Sequence, residues 1–256
     1  MAPEAHKRPL ELPSGSLVAL EVPGVGRIGG DYDGRLESLG EALETLKVPD
    51  IVKGKRVLDL GANAGHFPQL YARWGALGVT AVDGRGEFAV VYEAIGTPNV
   101  SFRVGDVREY HPDQPHDVLS ALGLIYHLRD PWPILRRLYD ECGARLAIVE
   151  AQVYPFDWTL VESSSNGTMA LEDGDTQRRT RDTYMRDAKA SGFELIGEVS
   201  GIWWTWQGIT DVENTERLVT VHSTRAVWVL HVPRAGGLPW SEIPGVCDKS
   251  PLGAAS

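Results

Sequence analysis

Between positions 56 and 154 the chain alternates two kinds of apolar pattern. Short runs dense in Val, Leu and Ile read as strands: "RVLDLGA" (56–62), "VTAVDG" (79–84), "VSFRVGD" (100–106), "HDVLSALGLI" (116–125) and "RLAIVEAQVY" (145–154). Between them, apolar residues at helical spacing predict helices from about Gly65 to Arg73, Glu87 to Ile95 and Pro131 to Cys142, the last with Pro in its first turn. Neighbouring parallel strands need a crossover connection, so this alternation predicts an α/β domain around a five-stranded parallel sheet.

The flanks extend that plan. Leu36, Leu39, Leu43 and Leu46 fall on one face of a lead-in helix over 31–46, and the Pro- and Gly-rich residues 1–30 read as an irregular arm. Downstream, a polar loop (163–175) precedes a helix from about Thr180 to Ala190 and two more strands, 193–199 and 225–232. The stretch 200–224 is too long for a hairpin loop and reads as an insertion packed on the ligand edge of the sheet. The expected organisation is an arm and helix over 1–50, a domain over 51–232 with 163–175 and 200–224 capping the substrate, and a tail over 233–256.

Composition narrows the function classes. A formal net charge of −10 opposes a nucleic-acid partner, because gripping phosphates takes an excess of Lys and Arg. The one basic stretch, Arg178 to Lys189, reads as a solvated helix face. No signal peptide or membrane-length apolar run is present, so a cytoplasmic protein without a membrane partner is expected. Cys142 and Cys247 have no metal-ligand spacing, and no metal site is expected.

The candidate chemistry lies at the strand ends. After the first strand the chain reads Gly61-Ala62-Asn63-Ala64-Gly65, and the second strand ends in Asp83. A Gly-rich turn followed by such a carboxylate suits an adenosine ribose in dinucleotide-binding and methyl-transferring folds alike. Three details separate them. The G-x-G-x-x-G fingerprint fails; Asp59, just before the turn, would repel a pyrophosphate but suits an ammonium and a sulfonium; and Asp106 ends the third strand where it can accept from an adenine amino group.

Together "VLDLGANAG", "AVDG", "VGDV" and "DVLSALGLIYHLRDP" resemble the successive motifs of class I S-adenosylmethionine-dependent methyltransferases, over roughly Arg56 to Tyr154. The resemblance implies a Rossmann-like sheet of seven strands, mostly parallel with the last antiparallel, and helices on both faces. It also implies S-adenosyl-L-methionine as cofactor, with Asp59, Gly61 and Gly65 around the methionine part and Asp83 with Gly84 at the ribose. Asp106 and Val107 would meet the adenine, and Leu122 would lie alongside. Asn63 replaces the family's middle glycine and is expected to tolerate the left-handed turn while reaching the cofactor.

The acceptor side is read from the residues just past the fourth strand. His127 stands where cofactor and substrate should meet and is the candidate general base; its alternative is a histidine merely hydrogen-bonded at a strand end. Tyr126 and Glu150 are candidates for orienting the acceptor, and Trp158, Trp203 and Trp204 for stacking on it, against plain core packing. The leading expectation is O-methylation of a small molecule in bacterial specialised metabolism, with N- or C-methylation left open. The phrase "LIYHLRDP" also resembles tRNA wobble-uridine carboxymethyltransferases, which makes RNA modification the competing enzyme reading. A homodimer is left open.

Overall fold

The apolar runs form the strands expected of them, and the elements follow one another as β1 (Leu20–Val22), β2 (Gly26–Ile28), α1 (Arg35–Thr45), α2 (Val48–Val52), β3 (Arg56–Leu60), α3 (His66–Arg73), β4 (Gly78–Asp83), α4 (Ala89–Ile95), β5 (Val100–Val104), β6 (Val118–Leu122), α5 (Pro131–Glu141), β7 (Leu146–Val153), β8 (Trp158–Val161), β9 (Asp175–Arg178), α6 (Arg181–Ala190), β10 (Glu194–Val212) and β11 (Thr215–His231). The structure is a computed structural model that describes residues 20–22, 26–28, 35–154, 158–161, 175–212 and 215–233.

Seven strands make one sheet in the order β5-β4-β3-β6-β7-β11-β10. The five from β3 to β7 are mutually parallel, and β11 runs antiparallel to both β7 and β10. Strand order reverses between β3 and β6. Their connections therefore leave on opposite sides, and a crevice opens beyond the carboxyl ends of these two strands.

The central strands are buried on both faces, which is why they read as nearly continuous apolar runs. On one face Leu58, Leu119 and Val149 pack with Trp132, Leu135 and Leu138 of α5 and Tyr184 of α6. On the other, Val57, Val118 and Ile148 pack with Leu39 and Leu43 of α1, Val52 of α2 and Tyr71 of α3.

Several boundaries differ from the sequence reading. The lead-in helix stops at Thr45, Lys47 turns left-handed (φ 58°), and a second short helix starts with Pro49 in its first turn. Within the arm, β1 and β2 form a small antiparallel hairpin. The fourth strand ends at Leu122, and Ile125–His127 is a separate 3₁₀ turn. The stretch 200–224, expected as an insertion, lies within β10 and β11, which pair from Glu194↔His231 out to Val212↔Thr215. Its density of Trp, Ile, Val and Thr favours extended backbone, and two register shifts interrupt the pairing of β10 with β11, one beside Gly201. Most of the polar loop 163–175 and nearly all of the tail 233–256 lie outside the described residues.

Candidate active site

The turn after β3 packs three left-handed residues into five positions: Gly61 (φ 68°), Asn63 (φ 50°) and Gly65 (φ 95°). Both glycines are also needed for space, since a Cβ at Gly61 would lie 3.0 Å from Leu124 Cδ1 and one at Gly65 3.0 Å from the Tyr92 ring. Asn63 holds its conformation through its own side chain, whose Oδ1 accepts from the Ala64 N–H at 2.6 Å. The turn is tied to β4 by the Ala62 N–H on Val82 O (3.0 Å) and by the Asn63 N–H on Asp83 Oδ2 (2.9 Å).

Asp59, Asp83 and Asp106 stand at the ends of the adjoining strands β3, β4 and β5. Asp59 is buried opposite Ser120 of β6, whose hydroxyl bonds to it and also lies 2.8 Å from Tyr71 Oη. Burial pushes its carboxyl up to about 7, Ser120 pulls against that, and the charge of Asp83 adds to it. Asp83, also buried, accepts from the main-chain N–H groups of Asn63 and Arg85 and from the Arg85 guanidinium.

The Gly105 N–H donates to Asp83 O at 3.0 Å, which brings the end of β5 against that of β4. Asp106 comes next and is itself engaged by Arg108, which holds its carboxyl below the usual range. The next turn is fastened from α5: Arg137 donates to the carbonyls of Val107 (3.0 Å), Arg108 (3.2 Å) and Tyr110 (2.8 Å). Val107 and Leu122 are buried, and Gly84 is half-buried at the bend after β4.

Across the crevice, Leu124 covers Gly61 and leads into the 3₁₀ turn that carries Tyr126 and His127, whose rings lie 4.4 Å apart. Tyr126 is buried and His127 half-buried. Glu150 lies beside Leu122 in the register of β6 and β7, fully buried and ion-paired with Arg225 of β11. Burial works against the Arg225 charge, but Glu150 outweighs it and keeps the guanidinium protonated, 5.8 Å from the Tyr126 ring centroid. Trp158 falls on β8 and Trp203 and Trp204 on β10; their side chains lie outside the described residues.

The structure thus gathers the turn residues, Asp59 and Asp83 on one side of the crevice mouth, Asp106 with Val107 at its β5 end, and Tyr126, His127 and Glu150 on the β6–β7 side. Sequence reasoning missed Ser120, Arg85, Arg108, Arg137 and Arg225. Only the two D-x-R repeats, 83–85 and 106–108, left a local signal. The basic stretch near α6 is occupied internally: Arg179 pairs with Asp187, Arg181 with Glu198 and Asp182, and Arg186 with Asp187. Among the described residues no group of three or more His, Cys, Asp or Glu is placed to hold a metal ion, and no helix is long and apolar enough to cross a membrane.

Residues 39–159 match the family model of FtsJ-like methyltransferases. A tRNA U34 carboxymethyltransferase of Alteromonas mediterranea is 30% identical over 121 residues, 43% of this chain and 36% of that protein. The chain therefore matches only about a third of the length of this curated relative. Among solved structures, the N-terminal domain of EvdMO1, crystallised in the presence of S-adenosylhomocysteine and D-fucose, superposes with a TM-score of 0.59 at 16% identity, covering 86% of this chain and 92% of that one. A protein of Bacillus halodurans C-125 described as a methyltransferase superposes with a TM-score of 0.56 at 13% identity, covering 76% of this chain and 100% of that one. The chain has the class I S-adenosylmethionine-dependent methyltransferase fold, and its central part is distantly homologous to tRNA U34 carboxymethyltransferase.

Proposed function

We propose that this protein transfers a methyl group from S-adenosylmethionine to a small-molecule acceptor, at oxygen, with His127 as the proton acceptor. The observation that carries the cofactor part is the meeting of a left-handed glycine turn with Asp59 and Asp83 at the point where strand order reverses. A left-handed turn packed closely under Leu124 and Tyr92, with its Asn63 N–H fastened to a buried carboxylate, fits a nucleoside joined to an amino acid. In this reading Asp59, Gly61, Asn63 and Gly65 hold the methionine part, Asp83 and Gly84 the ribose, and Asp106, Val107 and Leu122 the adenine. S-adenosylmethionine supplies a methyl group on a sulfonium, a leaving group that needs no activation by the protein.

The remaining work falls to the chain's own residues. Tyr126 and Glu150 orient the acceptor, and His127 takes its hydroxyl proton at an imidazole nitrogen, while alignment supplies much of the acceleration. Trp158, Trp203 and Trp204 wall the acceptor side in this proposal. The setting we infer is the cytoplasm, in bacterial specialised metabolism. The fold shared with the EvdMO1 domain, crystallised with a sugar, supports a small hydroxylic acceptor.

A second reading, tRNA modification, is favoured by the 30% identical match to the U34 carboxymethyltransferase. The net charge of −10 and the internal pairing of the arginines around α6 weigh against it. Thermal shifts with S-adenosylhomocysteine and with NAD, followed by label transfer from methyl-labelled S-adenosylmethionine to sugars, phenols and bulk tRNA, test the proposal. Stabilisation by NAD alone refutes the cofactor assignment, and label on tRNA alone refutes the small-molecule assignment.

A further inference from the structure

The carboxylates that close β4 and β5 are each succeeded two residues later by an arginine, in Asp83-Gly84-Arg85 and Asp106-Val107-Arg108. In both cases the arginine folds back onto its own aspartate. Arg85 gives Asp83 Oδ1 its main-chain N–H and its Nε–H, both at 3.0 Å, and gives Oδ2 an Nη2–H at 3.2 Å. Arg108 repeats the pattern on Asp106 with its main-chain N–H at 3.0 Å, its Nε–H at 2.9 Å and its Nη2–H.

An ionised carboxylate offers about four lone-pair positions. At Asp83 the Asn63 N–H takes one and Arg85 takes three, so all are filled. The two main-chain donors belong to the turns and stay while the backbone stays. The guanidinium edge is different in kind: it presents two parallel donors to two oxygens, which is also what the vicinal hydroxyls of a ribose offer a carboxylate.

We infer that Arg85 stands in for the ribose diol, occupying Asp83 in the free protein and leaving it when the nucleoside binds, and that Arg108 likewise holds the place of the adenine amino group at Asp106. The inference rests on the cofactor reading above. Displacement is required by the count, since no lone pair on Asp83 remains for a hydroxyl while the guanidinium is in place. The way out is open, because the Arg85 side chain is 20% exposed where that of Asp83 is 6%, and its guanidinium already lies 4.5 Å from the Phe88 ring centroid. In the free protein the clasp spares a buried carboxylate from standing uncompensated, and that same contact reduces the net affinity for the nucleoside.

Calorimetric titration of S-adenosylhomocysteine into the wild-type protein, Arg85→Met and Arg85→Lys tests this. Arg85→Met keeps a long unbranched side chain and removes the guanidinium donors. It is expected to bind about tenfold tighter, about 1.4 kcal/mol, while its ligand-free Tm falls. Arg85→Lys, with a single ammonium in place of the fork, should lie between the two and serves if the methionine variant does not fold. Binding by the wild type with equal or weaker affinity in the variants overturns the stand-in role and leaves the cofactor reading intact. Absence of binding in wild type and variants alike overturns both.

Discussion

Replacing Asp59 by Asn removes a buried charge while keeping the side chain's shape and its acceptor for Ser120. The carboxyl moves from 3.8 in the unfolded chain to about 7 in the folded protein, which at about 1.36 kcal/mol per pH unit is about 4 kcal/mol. Below both values the group is protonated in both states and contributes nothing. Between them the folded protein keeps a proton that the unfolded chain has released, so stability falls as pH rises; above about 7 the penalty levels off. The variant should therefore match the wild type most closely near pH 4 and gain on it by about 2 to 3 kcal/mol between about pH 5 and about pH 8.

Urea unfolding of both proteins across that range gives the difference directly, and groups common to both cancel. A stability difference that is flat with pH, or one that shrinks toward high pH, refutes the assignment. The same proton carries a binding signature. If a cationic ligand settles beside Asp59, it favours the ionised form, so association near neutral pH should release a proton, seen as heats that vary with buffer ionisation enthalpy.

Other changes test neighbouring parts of the crevice. Asp83→Ala should weaken S-adenosylhomocysteine binding while leaving the fold intact by circular dichroism; an unchanged Kd refutes the ribose assignment. Glu150→Gln leaves Arg225 buried without its counter-charge and should cost about 3 to 5 kcal/mol in urea unfolding. A joint Glu150→Leu, Arg225→Met replacement should recover most of that loss, and a double variant no better than the single one would show that the pair is not the source. His127→Ala should lower turnover about a hundredfold or more if the imidazole takes the proton, whereas a loss under about fivefold assigns it to packing.

The parallel part of the sheet was legible because β3, β4, β6 and β7 are sealed on both faces and so announce themselves as apolar runs, and because Gly61, Asp83 and Asp106 mark strand ends by local chemistry. The reach of β10 and β11 was not. Its register depends on pairing between strands, which spacing along the chain does not encode, and a segment rich in Trp and Thr reads equally well as a cap. Arg225 was missed for a related reason: its partner Glu150 is 75 residues away, and only the register of β7 beside β11 sets the two on neighbouring strands. Arg137 was hidden as an ordinary polar position on α5, since its role lies in three carbonyls of a loop that precedes it. Arg85 and Arg108 were in plain view, but a sequence shows which groups are near one another without showing which of them has already claimed a lone pair.

Among the described residues, only Thr224–Leu230 of β11 meet β7, while Thr215–Ser223 pairs with β10 alone, beyond the carboxyl end of β7. The final hairpin is thus a cantilever, rooted in the sheet at one end and projecting past the strand tips at the other. Trimming the projecting half would leave every rung between β11 and β7 in place. The protein can therefore vary the contour of its outer rim by lengthening, shortening or recomposing that ribbon, with no adjustment demanded of the aspartates on the opposite flank.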